Sequence, residues 1–275
     1  MTRRGLYRVS NQIPGVIMSN TKMFLVEFIG TFALVFIGAG AAIVGAGLLG
    51  VALACGFVLA VYNYSYGHIS GAHLNPAVTF GLALNGTIRW VQAVMYWVAQ
   101  FAGAAAAAAF LHYAVTPVGG SLAPAATVGV LTNEMPIWAM VVELVLTFFL
   151  VNTILHTVVA GKGGNMAGWA VGATMTFAIL AGGPLTGASL NPARMIGPAI
   201  FTEPSLTDVY TYIIYFFGPL IGATLAVMAF NFLNPIEEED YEEEMEAEPV
   251  IEEVEVKKAV RKPAARKPAA RTAKK

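Results

Sequence analysis

Between residues 23 and 235 the chain carries very few charged side chains, and this scarcity constrains its fold more than any other feature. The eight that are present are Glu27, Arg89, Glu134, Glu143, Lys162, Arg194, Glu203 and Asp208. Over the whole chain 12% of residues are charged, whereas soluble domains carry about 25%. A helical membrane span needs about 20 mostly apolar residues. The sequence therefore predicts an all-α membrane protein.

Six apolar segments are long enough to cross a bilayer. They lie at about 23–46, 50–67, 89–113, 136–160, 166–183 and 209–233. Two further segments, at about 75–84 and 191–201, are too short to cross. Backbone in lipid must satisfy its own hydrogen bonds, so short segments are expected only where protein or a water-filled cavity surrounds them. We predict six transmembrane helices and two half-helices in a channel domain at 23–235.

An internal repeat with an offset of 116 residues relates two halves of this domain, at about 23–113 and 136–233. Identical residues at this offset include Glu27 and Glu143, Thr31 and Thr147, Gly71 and Gly187, Leu74 and Leu190, and two Asn-Pro-Ala motifs. Each half holds three spans, and an odd number of spans inverts the second half relative to the first. The two short segments should then enter from opposite faces and meet near the middle of the membrane.

The basic residues predict how the chain is oriented. With the N-terminus inside, the cytoplasmic side receives the cations of the N-terminal segment 1–22, Arg89, Lys162 and the nine cations of 257–275. Arg194 is the one basic residue that does not fall there. This asymmetry matches the positive-inside rule. We predict a multi-pass protein of the cell membrane with both termini cytoplasmic.

The C-terminal segment 236–275 has two blocks of opposite charge. Twelve of the nineteen residues at 237–255 are acidic, and nine of the nineteen at 257–275 are basic. Such a composition cannot bury a core and predicts a disordered cytoplasmic tail. We expect an inert solvated tail. Contact of the basic block with anionic lipid or with the acidic block is the alternative.

Both short segments begin with the motif Asn-Pro-Ala, at Asn75-Pro76-Ala77 and Asn191-Pro192-Ala193. Asn is a preferred N-cap and Pro is preferred at the first helical position. Two half-helices should thus begin here with their N-termini facing each other, each with about half a positive charge that repels cations. Each Asn amide also has N–H donors that can face a lumen. A water molecule accepting from both asparagines cannot readily accept from its neighbours, which interrupts a proton wire.

The segments Ser70–Thr79 and Gly187–Arg194 resemble the two signature loops of the aquaporin (major intrinsic protein) family. The resemblance covers about 23–235 and implies a homotetramer in the lipid bilayer with one water-conducting pore in each subunit. It implies that Glu27 and Glu143 brace the two loops, with an interfacial glutamate as the alternative for each. It also implies pore-facing carbonyls, at Gly71, Ala72, His73, Gly187, Ala188 and Ser189. For the side chain of His73 we expect a structural role, and a titrating gate is the alternative.

Arg194 is predicted to line an outer selectivity filter. A lone arginine at membrane depth is costly and usually functional, although snorkelling to the outer headgroups is an alternative. Counted along the family pattern, the other filter positions are Cys55, Ile179 and Ala188, with a cysteine that only packs between helices as the alternative for Cys55. Strict water channels of the family usually have a bulky aromatic residue at the first position and a histidine at the second. The smaller residues here predict a wider filter that admits ammonia, hydrogen peroxide or small neutral solutes as well as water.

Other features favour water conduction over glycerol conduction. Glycerol facilitators carry an aspartate and a basic residue at the positions where this chain has Met195 and Ala199. In addition, the aromatic pair Tyr215-Phe216 is typical of water channels. Leu34, Val78 and Leu150 are predicted to form an apolar pore wall, with ordinary helix packing as the alternative.

Several other functions compete with a water channel. A glycerol or urea facilitator is the first. An ion channel or coupled transporter is disfavoured because the spans lack buried charge pairs. A structural membrane protein whose pore is closed is a further alternative. The chain shows no catalytic triad, metal cluster or phosphate loop, so we expect neither an enzyme nor a metal or cofactor site, and no nucleic-acid partner.

Overall fold

The computed structural model describes residues 20–235, and the interpretations given above for residues 1–19 and 236–275 lie outside the described residues. All regular structure between 20 and 235 is helical. The six long helices are α1 (Asn20–Ile43), α2 (Gly47–Ser70), α4 (Trp90–Val115), α6 (Pro136–Ile154), α7 (Ala167–Thr186) and α10 (Gly218–Leu233). The four shorter helices are α3 (Pro76–Leu84), α5 (Val130–Glu134), α8 (Pro192–Ala199) and α9 (Val209–Tyr212).

Six helical stretches are long and apolar enough to cross a membrane, which confirms the predicted number of spans. Helix α1, with 24 residues, is about 36 Å long at 1.5 Å per residue, enough for ~30 Å of hydrocarbon. Helix α6 continues into the π-helical turn Leu155–Val159, and a second π-helical turn, Ile213–Phe217, leads from α9 into α10. The two short segments form α3 and α8, of 9 and 8 residues, as half-helices.

The two halves of the chain pack in the same pattern. In the first half α1 packs against α2 and α4, and in the second half α6 packs against α7 and α10. Helices α2 and α7 join the halves. Each half-helix packs on the third long helix of the other half, because α3 contacts α10 and α8 contacts α4. This exchange interlocks the halves, as an inverted repeat requires.

Glycines sit where the helices cross most closely. A Cβ atom on Gly56 would lie 2.6 Å from the carbonyl oxygen of Gly172, and one on Gly172 would lie 2.5 Å from that of Gly56. Membrane helices depend on small residues for such contact, because the hydrophobic effect does not drive helix association in lipid. The crossing of α2 and α7 therefore holds the two halves together at residues that are themselves related by the repeat.

Candidate pore formed by the two half-helices

Each asparagine of the Asn-Pro-Ala motifs caps its own half-helix. The Oδ1 atom of Asn75 accepts from the backbone N–H of Ala77 at 2.8 Å. The Oδ1 atom of Asn191 accepts from the N–H groups of Ala193 at 3.0 Å and Arg194 at 3.1 Å. Because each side chain turns its oxygen toward its own helix, its amide nitrogen points away from that helix.

The two caps are joined by reciprocal hydrogen bonds. The Nδ2 atom of Asn75 donates to the carbonyl oxygen of Leu190 at 2.8 Å, and that of Asn191 donates to the carbonyl of Leu74 at 2.8 Å. The N-termini of the half-helices thus meet. An amide nitrogen has two protons, so each asparagine retains one N–H, and both residues line the same cavity.

The loops that precede the half-helices have the same unusual backbone. Ala72 and Leu74 have positive φ angles of 48° and 52°, and Ala188 and Leu190 have 41° and 53°. A non-glycine residue in this region costs about 1–3 kcal/mol and persists only where its surroundings enforce it. Some structural element must therefore hold each loop in shape.

In the first half that element is Glu27, which is completely buried. Its Oε1 accepts from the Ser70 hydroxyl at 2.6 Å and from the N–H of His73 at 2.9 Å. Its Oε2 accepts from the N–H of Leu74 at 2.8 Å and from Nε2 of Gln100 at 2.8 Å. One carboxylate thus ties α1 to the loop and to α4.

Glu143 occupies the matching place in the second half and is also completely buried. Its Oε1 accepts from the Thr186 hydroxyl at 2.7 Å and from the N–H of Ser189 at 2.9 Å. Its Oε2 accepts from the N–H of Leu190 at 2.7 Å. Both carboxylates are buried and accept from backbone N–H groups of the loops, whereas an interfacial glutamate would have its head in water.

A cavity of about 460 Å³ extends from the two asparagines to the ends of α2 and α6. It is lined by the three residues expected to form an apolar wall, Leu34, Val78 and Leu150. The loop before α3, on the proposed cytoplasmic side, is called the inner loop. Its residues that were expected to present carbonyls also line the cavity: Gly71, Ala72 and His73. Their counterparts in the second loop, Gly187, Ala188 and Ser189, do not.

The four residues expected to form the outer filter lie outside this cavity. Cys55, Ile179 and Ala188 are buried and Arg194 is partly buried. The guanidinium of Arg194 donates from Nη1 to the hydroxyl of Thr127, which is completely buried in the loop before α5. The Cys55 thiol lies beside α1, since a Cβ atom on Gly38 would be 2.6 Å from its sulfur.

Two tyrosines also bond to the ends of α2 and α7, next to the two loops, and no sequence motif pointed to these contacts. Tyr96 donates its hydroxyl to the carbonyl of Ser70 at 2.8 Å, and Tyr215 donates to that of Thr186 at 2.7 Å. The tyrosines are 119 residues apart, whereas the loops follow an offset of 116. A search at one fixed register therefore could not pair them.

Comparisons with known proteins agree with this geometry. The model of the family described as Major intrinsic protein matches residues 16–230. Aquaporin NIP1-4 of Oryza sativa subsp. japonica is 40% identical over 229 residues, covering 80% of this chain and 81% of that protein. Aquaporin TIP2-1 of Arabidopsis thaliana is 38% identical over 228 residues, covering 78% and 88%. In fold, the chain is similar to the aquaglyceroporin from Plasmodium falciparum, with a TM-score of 0.67, 24% identity and coverage of 78% and 96%.

Proposed function

The chain belongs to the major intrinsic protein (aquaporin) family, and we propose that it conducts water in single file and excludes protons and other ions. Members of this family are channels and not enzymes. The main support for this proposal is the pair of reciprocal hydrogen bonds that Asn75 and Asn191 each donate to a carbonyl group of the opposite loop. It brings two electropositive helix ends and two free amide N–H groups to one point on a cavity. A neutral molecule with an acceptor oxygen fits that point, and a cation does not.

The helix ends supply the barrier to cations. Each helix N-terminus carries about half an elementary charge. For a monovalent cation ~5 Å from both ends, at an effective dielectric constant of about 20, the repulsion sums to about 3 kcal/mol. Desolvation of the ion adds to this barrier, whereas water is uncharged and experiences neither term.

The free amide protons supply the barrier to proton hopping. A water oxygen that accepts from the remaining N–H groups of Asn75 and Asn191 has both lone pairs occupied. It can donate to its neighbours in the file but cannot accept from them. The apolar side chains of Leu34, Val78 and Leu150 offer no competing hydrogen bonds, so the asparagines are the protein's polar partners for a water molecule at this point.

The outer filter favours a broader set of solutes than water alone. Cys55, Ile179, Ala188 and Arg194 form the filter in our proposal, and neither Cys55 nor Ile179 has the size or polarity of the aromatic and histidine pair of strict water channels. The second candidate is therefore a channel that also conducts ammonia or small neutral solutes such as glycerol.

We also propose a homotetramer in the cell membrane, built from the channel domain 23–235 with both termini cytoplasmic. Lys22, Arg89 and Lys162 support this orientation, because they all fall on the proposed cytoplasmic side. Large apolar side chains on the helix surfaces, such as Val98 and Phe232, suit contact with lipid or with other copies of the chain.

Stopped-flow light scattering of liposomes that contain the purified protein tests the proposal. We expect an osmotic gradient to shrink them several times faster than empty liposomes, without a rise in proton leak. Gradients of glycerol and then of ammonia separate the two candidates, because only a wide filter gives accelerated solute entry. Shrinkage no faster than that of empty liposomes by correctly folded protein would contradict water conduction.

A prediction concerns Cys55, which is the only cysteine in the chain. If its thiol borders the filter, Hg²⁺ that binds there should obstruct the file of water. We expect Hg²⁺ to slow shrinkage of wild-type liposomes and Cys55→Ser liposomes to be insensitive, with normal permeability before treatment. Equal inhibition of both proteins would remove Cys55 from the pore.

A second prediction concerns the width of the filter. Replacing Ile179 with histidine and Cys55 with phenylalanine should narrow it and add polarity. Discrimination by shape in such a site is worth roughly tenfold or more, so we expect glycerol permeability to fall about tenfold while water permeability changes little. The control is Ile37→His on an exposed face of α1. An unchanged ratio of glycerol to water permeability in the double variant would place these residues outside the filter.

A further inference from the structure

We propose that Gln100 and Thr79 are positioning residues that fix His73 in one tautomer, with its proton on Nε2, so that a permanent N–H donor faces the inner cavity. All three side chains are buried. The assignment of the tautomer rests on hydrogen-bond directions, and its consequence for permeation rests on the proposed water channel.

The donor and acceptor of each hydrogen bond in this chain of contacts are determined first at Gln100. Its Nε2 atom lies 2.8 Å from Oε2 of Glu27 and 2.8 Å from Oγ1 of Thr79. Both oxygens of Glu27 already accept from backbone N–H groups, at His73 and Leu74. A carboxylate in this role only accepts, so Gln100 must present its NH₂ group. One of the two amide protons goes to Glu27, and the other goes to Thr79.

The donor role of Gln100 then determines the donor role of Thr79. Its hydroxyl oxygen accepts from Gln100, and the one hydroxyl proton needs an acceptor of its own. Nδ1 of His73, at 3.1 Å, is the one other hydrogen-bond partner of this hydroxyl within residues 20–235. Thr79 therefore donates and Nδ1 accepts. The reverse arrangement would leave a buried hydroxyl proton without an acceptor, which is disfavoured.

A neutral imidazole that accepts at Nδ1 carries its proton on Nε2. In the described part of the chain Nε2 has no hydrogen-bond partner, yet it is not among the fully enclosed unpaired atoms. It lies beside Gly71, since a Cβ atom there would be 2.9 Å from Nε2, and both residues line the cavity. The ring of Tyr96 packs edge-on against the imidazole with centroids 5.1 Å apart, which helps to fix the ring plane.

This arrangement gives the inner half of the pore a donor among carbonyl acceptors. Water can donate to the carbonyls of the loop and accept from Nε2. The imidazole cannot pass a proton along the pore, because that would require release from Nδ1, which faces Thr79 inside the protein. The second loop has Ser189 and Met195 at the positions of His73 and Thr79, so only the inner loop has this arrangement.

Nitrogen-15 NMR of histidine-labelled protein in liposomes tests the tautomer directly, because protonated and unprotonated ring nitrogens have well-separated shifts. Subtracting the spectrum of His73→Asn identifies the signals of His73. At neutral pH we expect Nδ1 of His73 to be unprotonated and Nε2 to be protonated. A wild-type signal with the proton on Nδ1 would overturn the proposal, whether or not the protein conducts water.

Variants of Thr79 separate positioning from folding. Thr79→Val removes the hydroxyl at nearly constant shape, and we expect the second tautomer to appear and water permeability to fall. Thr79→Ser restores the donor and should restore both readouts. Thr116→Val, which removes an exposed hydroxyl bonded to the carbonyl of His112, is the control and should leave the His73 signals unchanged. An unchanged tautomer in Thr79→Val would overturn the role of Thr79.

Discussion

Replacing Glu143 with leucine is expected to abolish permeability and to lower the thermal stability of the protein sharply. The variant leaves the N–H groups of Ser189 and Leu190 buried without an acceptor, at a cost of about 1–3 kcal/mol each. The strained backbone at Ala188 and Leu190 then has no brace. A total of about 2–6 kcal/mol is a large fraction of the roughly 5–15 kcal/mol that stabilises a typical domain. The second loop should therefore collapse into the pore.

Unfolding temperature in detergent, together with shrinkage rates of liposomes matched for folded protein, measures this effect. A loss of about 4 kcal/mol corresponds to a fall of about 10 °C for a domain of this size. Glu134→Leu is the matched control, because Glu134 is exposed and outside the loop supports. Glu27→Leu should be at least as damaging, since Glu27 accepts one more hydrogen bond than Glu143. Normal stability and permeability of both variants would show that the glutamates do not hold the loops.

Replacing Arg194 with valine is expected to make the channel leak protons and small cations while it still conducts water. Valine is the residue that the first half has at the same register, Val78. A positive charge ~5 Å from the path of a cation contributes about 3 kcal/mol at an effective dielectric constant of ~20. Because each 1.36 kcal/mol changes a rate about tenfold, we expect the leak to rise by about a hundredfold or slightly more.

The leak can be measured with a pH-sensitive dye inside liposomes under a proton gradient, alongside water permeability. Arg89→Gln is the control, because Arg89 is exposed in the connection before α4. Thr127→Val tests the same site more gently, since it removes the hydrogen-bond partner of Arg194 and keeps the charge. A leak in Arg194→Val no greater than in the control would argue that Arg194 points away from the conduit.

The sequence predicted the parts of the fold that follow from the lengths of the apolar segments and from the residues that are identical in the two halves. Six spans followed from the scarcity of charge, and the half-helices followed from segments too short to cross that begin with Asn-Pro. The two glutamates were selected as candidates because Glu27 and Glu143 keep the offset of the motifs. Helix α7 continues to Thr186, past the predicted end at 183, because Pro184 is accommodated inside the helix.

The remainder depends on three-dimensional contacts that no local pattern encodes. The reciprocal bonds of Asn75 and Asn191 to the carbonyl groups of the opposite loop depend on the distance between two helix ends, which the sequence does not give. Thr127 lies in an irregular loop without a motif, and Gln100 has no equivalent in the second half. The spacing of Tyr96 and Tyr215 differs by three residues from the repeat offset, so the repeat does not identify them as a pair.

A cryo-electron microscopy structure of the protein in lipid, at a resolution that reveals ordered water, is the decisive test of the pore at Asn75 and Asn191. We expect a continuous file of water with one molecule about 3 Å from Nδ2 of both Asn75 and Asn191, within hydrogen-bond distance. A file of water that passes elsewhere, with both amides sealed from it by protein, would contradict the account.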